Sequence, residues 1–282
     1  MVANIELHEV PMFVLINVCL LSVIIAEPSA AELVRQDVSY RHGELSLRGY
    51  LVAPSGEETG AARRPGILVV HEWWGLNDHA RRQADRLARE GYVAFALDMY
   101  GDGMKTDDPH KAGELAGRFR SDRGLLVDRA RAGLEVLLKD ARVDPKRVAV
   151  IGYCFGGSTA LQMALAGVDV AGVVSLHGAL GGMELRPGVR ITARILILHG
   201  ADDPLIPAAQ ISEFQELLRK AGADWQMVYF GRAVHSFTNR DAGRANMQGV
   251  AYDEAADRRS WQYLRDFFAE LFLSSPTSAG KR

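Results

Sequence analysis

Cysteine is nearly absent from these 282 residues, with only Cys19 and Cys154 present. Cys19 falls inside an apolar amino-terminal run, so no disulfide framework can be drawn and Cys154 is expected as a free thiol. Net charge is equally scarce, because 33 Lys and Arg stand against 35 Asp and Glu for a formal charge of -2. That balance supplies no excess to attract nucleic acid or an anionic membrane surface. Metal-ligand spacing is missing too. The run His71-Glu72-Trp73-Trp74-Gly75 lacks the second histidine of a metalloprotease helix, and no other cluster has the spacing of a metal site. No metal or other cofactor is expected, and there is neither an internal repeat nor a low-complexity tract.

What remains is a composition of 48% hydrophobic and 24% charged residues, ordinary for one globular α/β domain of this length. The amino terminus departs from it. Val10 to Ala26 is almost uninterruptedly apolar and leads into Glu27-Pro28-Ser29-Ala30-Ala31, which reads as a signal peptide cleaved after Ala30 or Ala31. Residues 1–11 carry Glu6 and Glu9 but no Lys or Arg, a stretch that translation from Met12 would remove. The alternative is an uncleaved anchor, since about 17 apolar residues lie at the lower edge of a membrane span. The expectation is an exported, periplasmic or secreted protein of residues 32–273, with no stable membrane association after cleavage. A monomer is favoured. Residues 274–282 are small and polar and should fray.

Two stretches, Val34 to Tyr40 and Glu44 to Ala53, have the pattern of antiparallel strands. Beyond them short apolar runs alternate with helical periodicity. The runs are Ile67 to His71, Tyr92 to Leu97, Arg147 to Gly152, Ala171 to Leu176, Ile195 to His199 and Trp225 to Phe230. Continuous apolar runs suit strands buried on both faces of a parallel sheet. Helices are expected over Asp78 to Glu90, Leu125 to Lys139, Gly157 to Ala166, Ala208 to Ala221 and Glu254 to Leu271. Strand alternating with helix implies a doubly wound, mostly parallel sheet, in which reactive groups collect beyond the carboxyl ends of the strands.

One strand runs straight into Gly152-Tyr153-Cys154-Phe155-Gly156-Gly157 and a small-residue helix. This is a nucleophile elbow with Cys where Ser is usual. The dipoles of the helix amino terminus favour a thiolate at Cys154. Partners are expected in the order nucleophile, acid, histidine. Asp202 and Asp203 follow the strand ending at His199, and His235 follows the strand ending at Phe230, so the order is met. His235 would carry the proton and one of the aspartates would orient it. The amide of Phe155 and that of Trp73 are placed to receive an oxyanion. His71, His177 and His199 end strands, where they line the site or satisfy backbone groups. Trp73 and Trp74 wall a pocket or fill the core.

Five segments together, His71-Glu72-Trp73-Trp74-Gly75-Leu76-Asn77, Ala96-Leu97-Asp98-Met99-Tyr100-Gly101, Gly152-Tyr153-Cys154-Phe155-Gly156-Gly157, Asp203-Pro204-Leu205-Ile206-Pro207 and His235-Ser236-Phe237, resemble the dienelactone hydrolase family. The resemblance runs from about Val34 to Leu273. It implies an α/β-hydrolase fold and cleavage of a small ester or lactone through an acyl-enzyme. It also implies Cys154 as nucleophile, Asp203 rather than Asp202 as acid and His235 as base. Glu72, by the same resemblance, contacts the resting thiol and gates its ionisation. Members acting on dienelactone clamp its carboxylate with two arginines. Here Asp102 and Asn239 stand in those places, with Lys105 and Arg240 the nearest cations; Trp74, Tyr100 and Arg240 are the expected substrate contacts. A carboxylesterase or thioesterase on another acyl substrate, or a binding module that keeps the fold, are the alternatives.

Overall fold

A computed structural model describes residues 32–56 and 63–273. The expected leader, Cys19, the terminal tail and part of the polar connection after the second strand lie outside the described residues. The sheet has eight strands: β1 (Leu33–His42), β2 (Leu45–Pro54), β3 (Arg64–Val70), β4 (Val93–Ala96), β5 (Val143–Tyr153), β6 (Gly172–Leu176), β7 (Arg194–Gly200) and β8 (Trp225–Phe230). Their order across the sheet is β1-β2-β4-β3-β5-β6-β7-β8. β1 and β2 form an antiparallel hairpin in register from Leu33 with Pro54 to His42 with Leu45, and β2 runs antiparallel to β4. All other pairings are parallel.

Six helices cover the two faces: α1 (Asp78–Arg89), α2 (Pro109–Ser121), α3 (Arg123–Lys139), α4 (Phe155–Leu165), α5 (Ala208–Lys220) and α6 (Glu254–Leu273). Side chains alternate across a strand, so each central strand feeds two cores. Leu68 and Val70 of β3 join the core under α2 to α5, while Ile67 and Val69 join the core under α1 and α6. This is why the β3 and β7 segments read as unbroken apolar runs. β8 departs from that reading: it is an outer strand, half-buried along most of its length, with Tyr229 exposed.

The helix α2 is the element the periodicity did not reveal. Its start is written locally, because the Asp108 side chain accepts from the His110 amide and Pro109 occupies the first turn, where no amide partner is needed. Asp122 then ends α2 and opens α3, its carboxylate accepting from the Leu125 amide at 2.8 Å. Two helices therefore meet at one residue, with Arg120 shortly before it and Arg123 directly after it.

That edge has a built organiser. The Val70–Gly152 pairing sets the ends of β3 and β5 side by side, at the point where the strand order turns outward in both directions. Next to it Asp98, fully buried after β4, accepts four backbone amides: Tyr100 and Gly101 on Oδ1, and Arg48 and Gly103 on Oδ2, at 2.8 to 3.1 Å. A buried carboxylate is tolerable only when satisfied in this way. Replacing it as Asp98→Asn turns one acceptor oxygen into a donor aimed at amides. The substitution is expected to lower the unfolding free energy by about 3 kcal/mol, measured by urea denaturation; a change below about 0.5 kcal/mol would mean that the loop is held by other contacts.

Candidate active site

The residue between β5 and α4 is Cys154, at φ 53 and ψ -116. A non-glycine residue reaches that region only when its surroundings impose it. Here the imposition is close backbone approach. A Cβ on Gly152 would lie 1.9 Å from the Gly156 carbonyl oxygen, and one on Gly156 would lie 2.2 Å from that of Val70. Only glycine at both positions lets the strand fold back on its helix and lean against β3. The Cys154 amide is held by the Leu176 carbonyl at 3.0 Å and by Nδ1 of His177 at 3.1 Å.

The thiol meets His235. Nε2 of His235 is 3.0 Å from Cys154 Sγ, and its Nδ1 is 2.8 Å from Asp203 Oδ2. Asp203 and His235 are buried, whereas Asp202 is exposed and makes no such contact. Burial opposes charge on the His235 ring, but the charge at Cys154 and the hydrogen bond to Asp203 prevail and hold its pKa well above the ordinary value. The backbone of His235 is clamped on both sides, its amide donating to Gly249 and its carbonyl accepting from Ala251.

Glu72 stands at the end of β3, buried, with both carboxylate oxygens engaged. Ser236 Oγ donates to Oε1 at 2.8 Å and Asn239 Nδ2 to Oε2 at 2.6 Å. The expected contact between Glu72 and the thiol is therefore not made in this structure; the thiol pairs with His235. Ser236 has φ 57, a strained turn directly after the histidine, and its hydroxyl bond to Glu72 is what fixes that turn. Asn239, which replaces an expected arginine, is thus committed to Glu72.

Above the thiol lies a cavity of about 450 Å³ walled mainly by Trp73, Trp74, Phe119, Phe155, Met183 and Leu205. Its cations are Arg120 and Arg123, which flank the α2–α3 junction, and no Asp or Glu is among its described lining residues. Neither guanidinium is ion-paired with a carboxylate among the described residues; Arg120 donates only to the Gly113 carbonyl at 3.3 Å. The amides of Phe155 and Trp73 make no hydrogen bond within the described chain, and both residues border the cavity beside Cys154.

Two expected substrate contacts are corrected. Tyr100 is buried, its hydroxyl donating to the Trp73 carbonyl at 2.7 Å and its ring packed on Phe119 and Phe155, so it supports the wall without lining the cavity. Arg240 is exposed and lies over the Tyr252 ring at 5.7 Å, drawn outward by that aromatic face. Lys105 borders a separate polar groove on the far side of Trp74. Trp74 does line the cavity. Of the cations that face it, Arg120 went unread because α2 did, where the Asp108-Pro109 start was the signal available, and Arg123 because α3 starts two residues before the expected Leu125.

Two of the three strand-end histidines, His71 and His177, act on the backbone, whereas Nδ1 of His199 is buried without a hydrogen-bond partner among the described residues. His177 is fully buried at the end of β6, its Nδ1 accepting from Cys154 and its Nε2 set 2.9 Å from Thr238 Oγ1, which joins the elbow to the His235 loop. Because Nδ1 accepts, the ring hydrogen is on Nε2. Burial, aided by charge at His235, pushes its pKa well down.

A strand-turn-helix elbow that sets a thiol against a histidine and an acid, on a mostly parallel eight-stranded sheet, has the architecture of an α/β-hydrolase. A model of the dienelactone hydrolase family matches residues 47–272. The chain belongs to that family, and is by that membership a carboxylic ester hydrolase. Among solved structures it resembles a dienelactone hydrolase-like promiscuous phosphotriesterase from metagenomic libraries, with 37% identity, a TM-score of 0.80 and coverage of 85% of this chain and 98% of that one. Protein usf of Aquifex pyrophilus is 27% identical over 239 residues, covering 83% of this chain and 98% of its own. A protein of Aquifex aeolicus, named provisionally as a carboxymethylenebutenolidase, is 27% identical over 237 residues, covering 83% and 97%.

The buried histidines give this site an acid limit. His71, His79 and His177 all have pKa values lowered by burial, while the unfolded chain takes up protons near pH 6.5. The unfolded state therefore binds more protons below that pH, and stability present above it is lost as pH falls, by up to about 1.4 kcal/mol per pH unit for each histidine. His235 has the opposite sign: its contribution is full below about pH 6.5 and is lost as pH rises through its elevated value. Thermal unfolding from pH 7 to 5 should show a steep fall in Tm, shallower in His177→Gln. An unchanged slope in that variant would place the acid sensitivity elsewhere.

Proposed function

We propose that this chain hydrolyses a small ester or lactone that carries an anionic group, by nucleophilic catalysis from Cys154. The observation that carries the reading is the unbroken line from Cys154 Sγ through His235 to Asp203, at 3.0 and 2.8 Å, at the floor of an apolar cavity. In this reading the thiolate adds to the acyl carbon, and the oxygen charge that develops is received by the Phe155 and Trp73 amides. Collapse breaks the bond to the alkoxide, which takes the His235 proton and leaves as alcohol. Neutral His235 then removes a proton from water, whose oxygen attacks the thioester and releases the acid and the thiolate.

The electrostatics support the sequence of proton moves. The charge at Cys154 is the foremost of the influences that raise the His235 pKa. Once sulfur is acylated that charge is gone, so the imidazolium becomes more acidic at the moment the alkoxide needs its proton. Glu72 belongs to the same proposal as the gate: swinging from Ser236 and Asn239 towards sulfur, its carboxylate would disfavour a standing thiolate by repulsion and protect it from oxidation. Export through the amino-terminal leader, into a compartment where such protection matters, completes the reading.

Substrate charge is inferred from Arg120 and Arg123. Two guanidinium groups without acidic partners, on the wall of a cavity otherwise mostly apolar, complement a carboxylate or phosphate. The test is turnover by purified protein of paired esters that share an acyl chain, one ending in carboxylate and one in methyl, with intact-mass detection of an adduct. A neutral phosphotriester joins the panel because of the phosphotriesterase relative. Cys154→Ala should abolish turnover and adduct. Arg120→Ala with Arg123→Ala should lower kcat/KM at least about 100-fold for the anionic ester, at about 1.5 to 3 kcal/mol per charge-assisted bond lost, and leave the methyl-ended ester within about threefold. Retained activity in Cys154→Ala would refute the mechanism; equal losses on both esters would refute the assignment of charge.

A further inference from the structure

The Trp73 amide is useful to an oxyanion only if its peptide plane is held, and two residues outside the cavity hold it. His71, fully buried at the end of β3, accepts the Met99 amide on Nε2 at 3.2 Å. Its ring hydrogen must then be on Nδ1, which donates to the carbonyl of Glu72. That carbonyl and the Trp73 N–H belong to one planar trans peptide and point in opposite directions. Drawing the carbonyl towards His71 in the core therefore turns the Trp73 N–H outward, to the side on which Trp73 borders the cavity. At the next peptide, the Tyr100 hydroxyl takes the Trp73 carbonyl at 2.7 Å. Both carbonyls flanking the amide are pinned, one by each residue, with the Gly75 amide a second and longer donor to that of Glu72 at 3.3 Å.

The same two rings also support the other amide. His71 and Tyr100 meet edge to face at 5.0 Å, and both pack on the ring of Phe155, at 6.1 and 5.9 Å. Phe155 supplies the second N–H. Tyr100 is in turn set by the Asp98 carboxylate, which accepts its amide at 2.9 Å. One rigid aromatic group thus stands behind both donors without touching the cavity.

We propose that His71 and Tyr100 are positioning residues that orient the Trp73 amide towards the developing oxyanion, and that they govern kcat more than substrate binding. This rests on the reading of Cys154 as an acylated nucleophile. Tyr100→Phe removes one hydroxyl and keeps the ring contacts; His71→Asn keeps an N–H near the Glu72 carbonyl, whereas His71→Leu does not.

The experiment compares three readouts in each variant: ester turnover, inhibition by an alkyl trifluoromethyl ketone that forms a tetrahedral oxyanion on sulfur, and alkylation of Cys154 by iodoacetamide, which forms none. Tyr100→Phe is expected to lower kcat about tenfold with KM within twofold, a fraction of the loss for removing a donor outright. Ketone affinity should fall by the same factor while alkylation is unchanged, and His71→Asn should exceed His71→Leu in kcat. Alkylation falling in parallel with turnover would reduce both residues to general support of the site, and unchanged ketone affinity would remove the oxyanion role; either result overturns the proposal. Failure of the wild type to form any thioester would instead be failure of the underlying mechanism, and is visible before any variant is made.

Discussion

The site depends on a backbone conformation that costs free energy. Cys154 sits at positive φ, and nothing in its own chemistry favours it there. What sustains the turn is the sheet itself: β5 pairs with β3 on one side and β6 on the other, and α4 packs across all three. The Leu176 carbonyl and the His177 ring then hold the Cys154 amide from the neighbouring strand. The strain is local and the restraint is global, so the thiol is aimed by the whole sheet and not by a flexible loop.

From that fixed point the other loops are tied inward by polar groups that the core has made dry. Glu72 connects the loop after β3 to the loop after β8, through Ser236 and Asn239. His177 connects the elbow to the same loop through Thr238. Asp98 connects the β4 loop to β2 through the Arg48 amide. Each is a buried group that would destabilise the fold if left unpaired, and each finds at least one partner on another segment of the chain. Loops that would otherwise move independently thereby become one surface.

How much of this the sequence carried depends on the range of the interaction. The strand runs, the elbow and the order of Cys154, Asp203 and His235 are local or periodic features, and the structure sets those three side chains within hydrogen-bond reach along one line. Asp203 over Asp202 followed from family resemblance, and the burial of Asp203 against the exposure of Asp202 gives the physical reason. Tyr100 and Arg240 were misread because proximity in sequence to a motif says nothing about which way a side chain turns. Arg120 went unnoticed because its helix has a modest apolar stripe of Ala112, Leu115, Ala116 and Phe119 between polar residues, and Arg123 because it opens α3 ahead of the first apolar residue of that helix. Ser236 lies in a motif segment and Asn239 at an expected arginine position, but nothing local to either names Glu72 as partner; that role exists only because Glu72 is buried opposite them.

That burial also sets the terms on which Glu72 can act as a gate. In the present arrangement its carboxylate accepts two hydrogen bonds, and bonds to a charged group contribute about 1.5 to 3 kcal/mol each. Swinging to the thiol would give up about 3 to 6 kcal/mol on that scale and leave the strained Ser236 turn without its anchor. The thiol, meanwhile, would leave His235, whose elevated pKa depends on the charge at sulfur. Two alternatives therefore exclude one another: Glu72 bound to the histidine loop with the thiol on His235, or Glu72 near the thiol with that loop released. Only the first has the sulfur, the imidazole and Asp203 in line, and it is the arrangement present here, so the proposed gate requires an interaction in the second that offsets the hydrogen bonds given up.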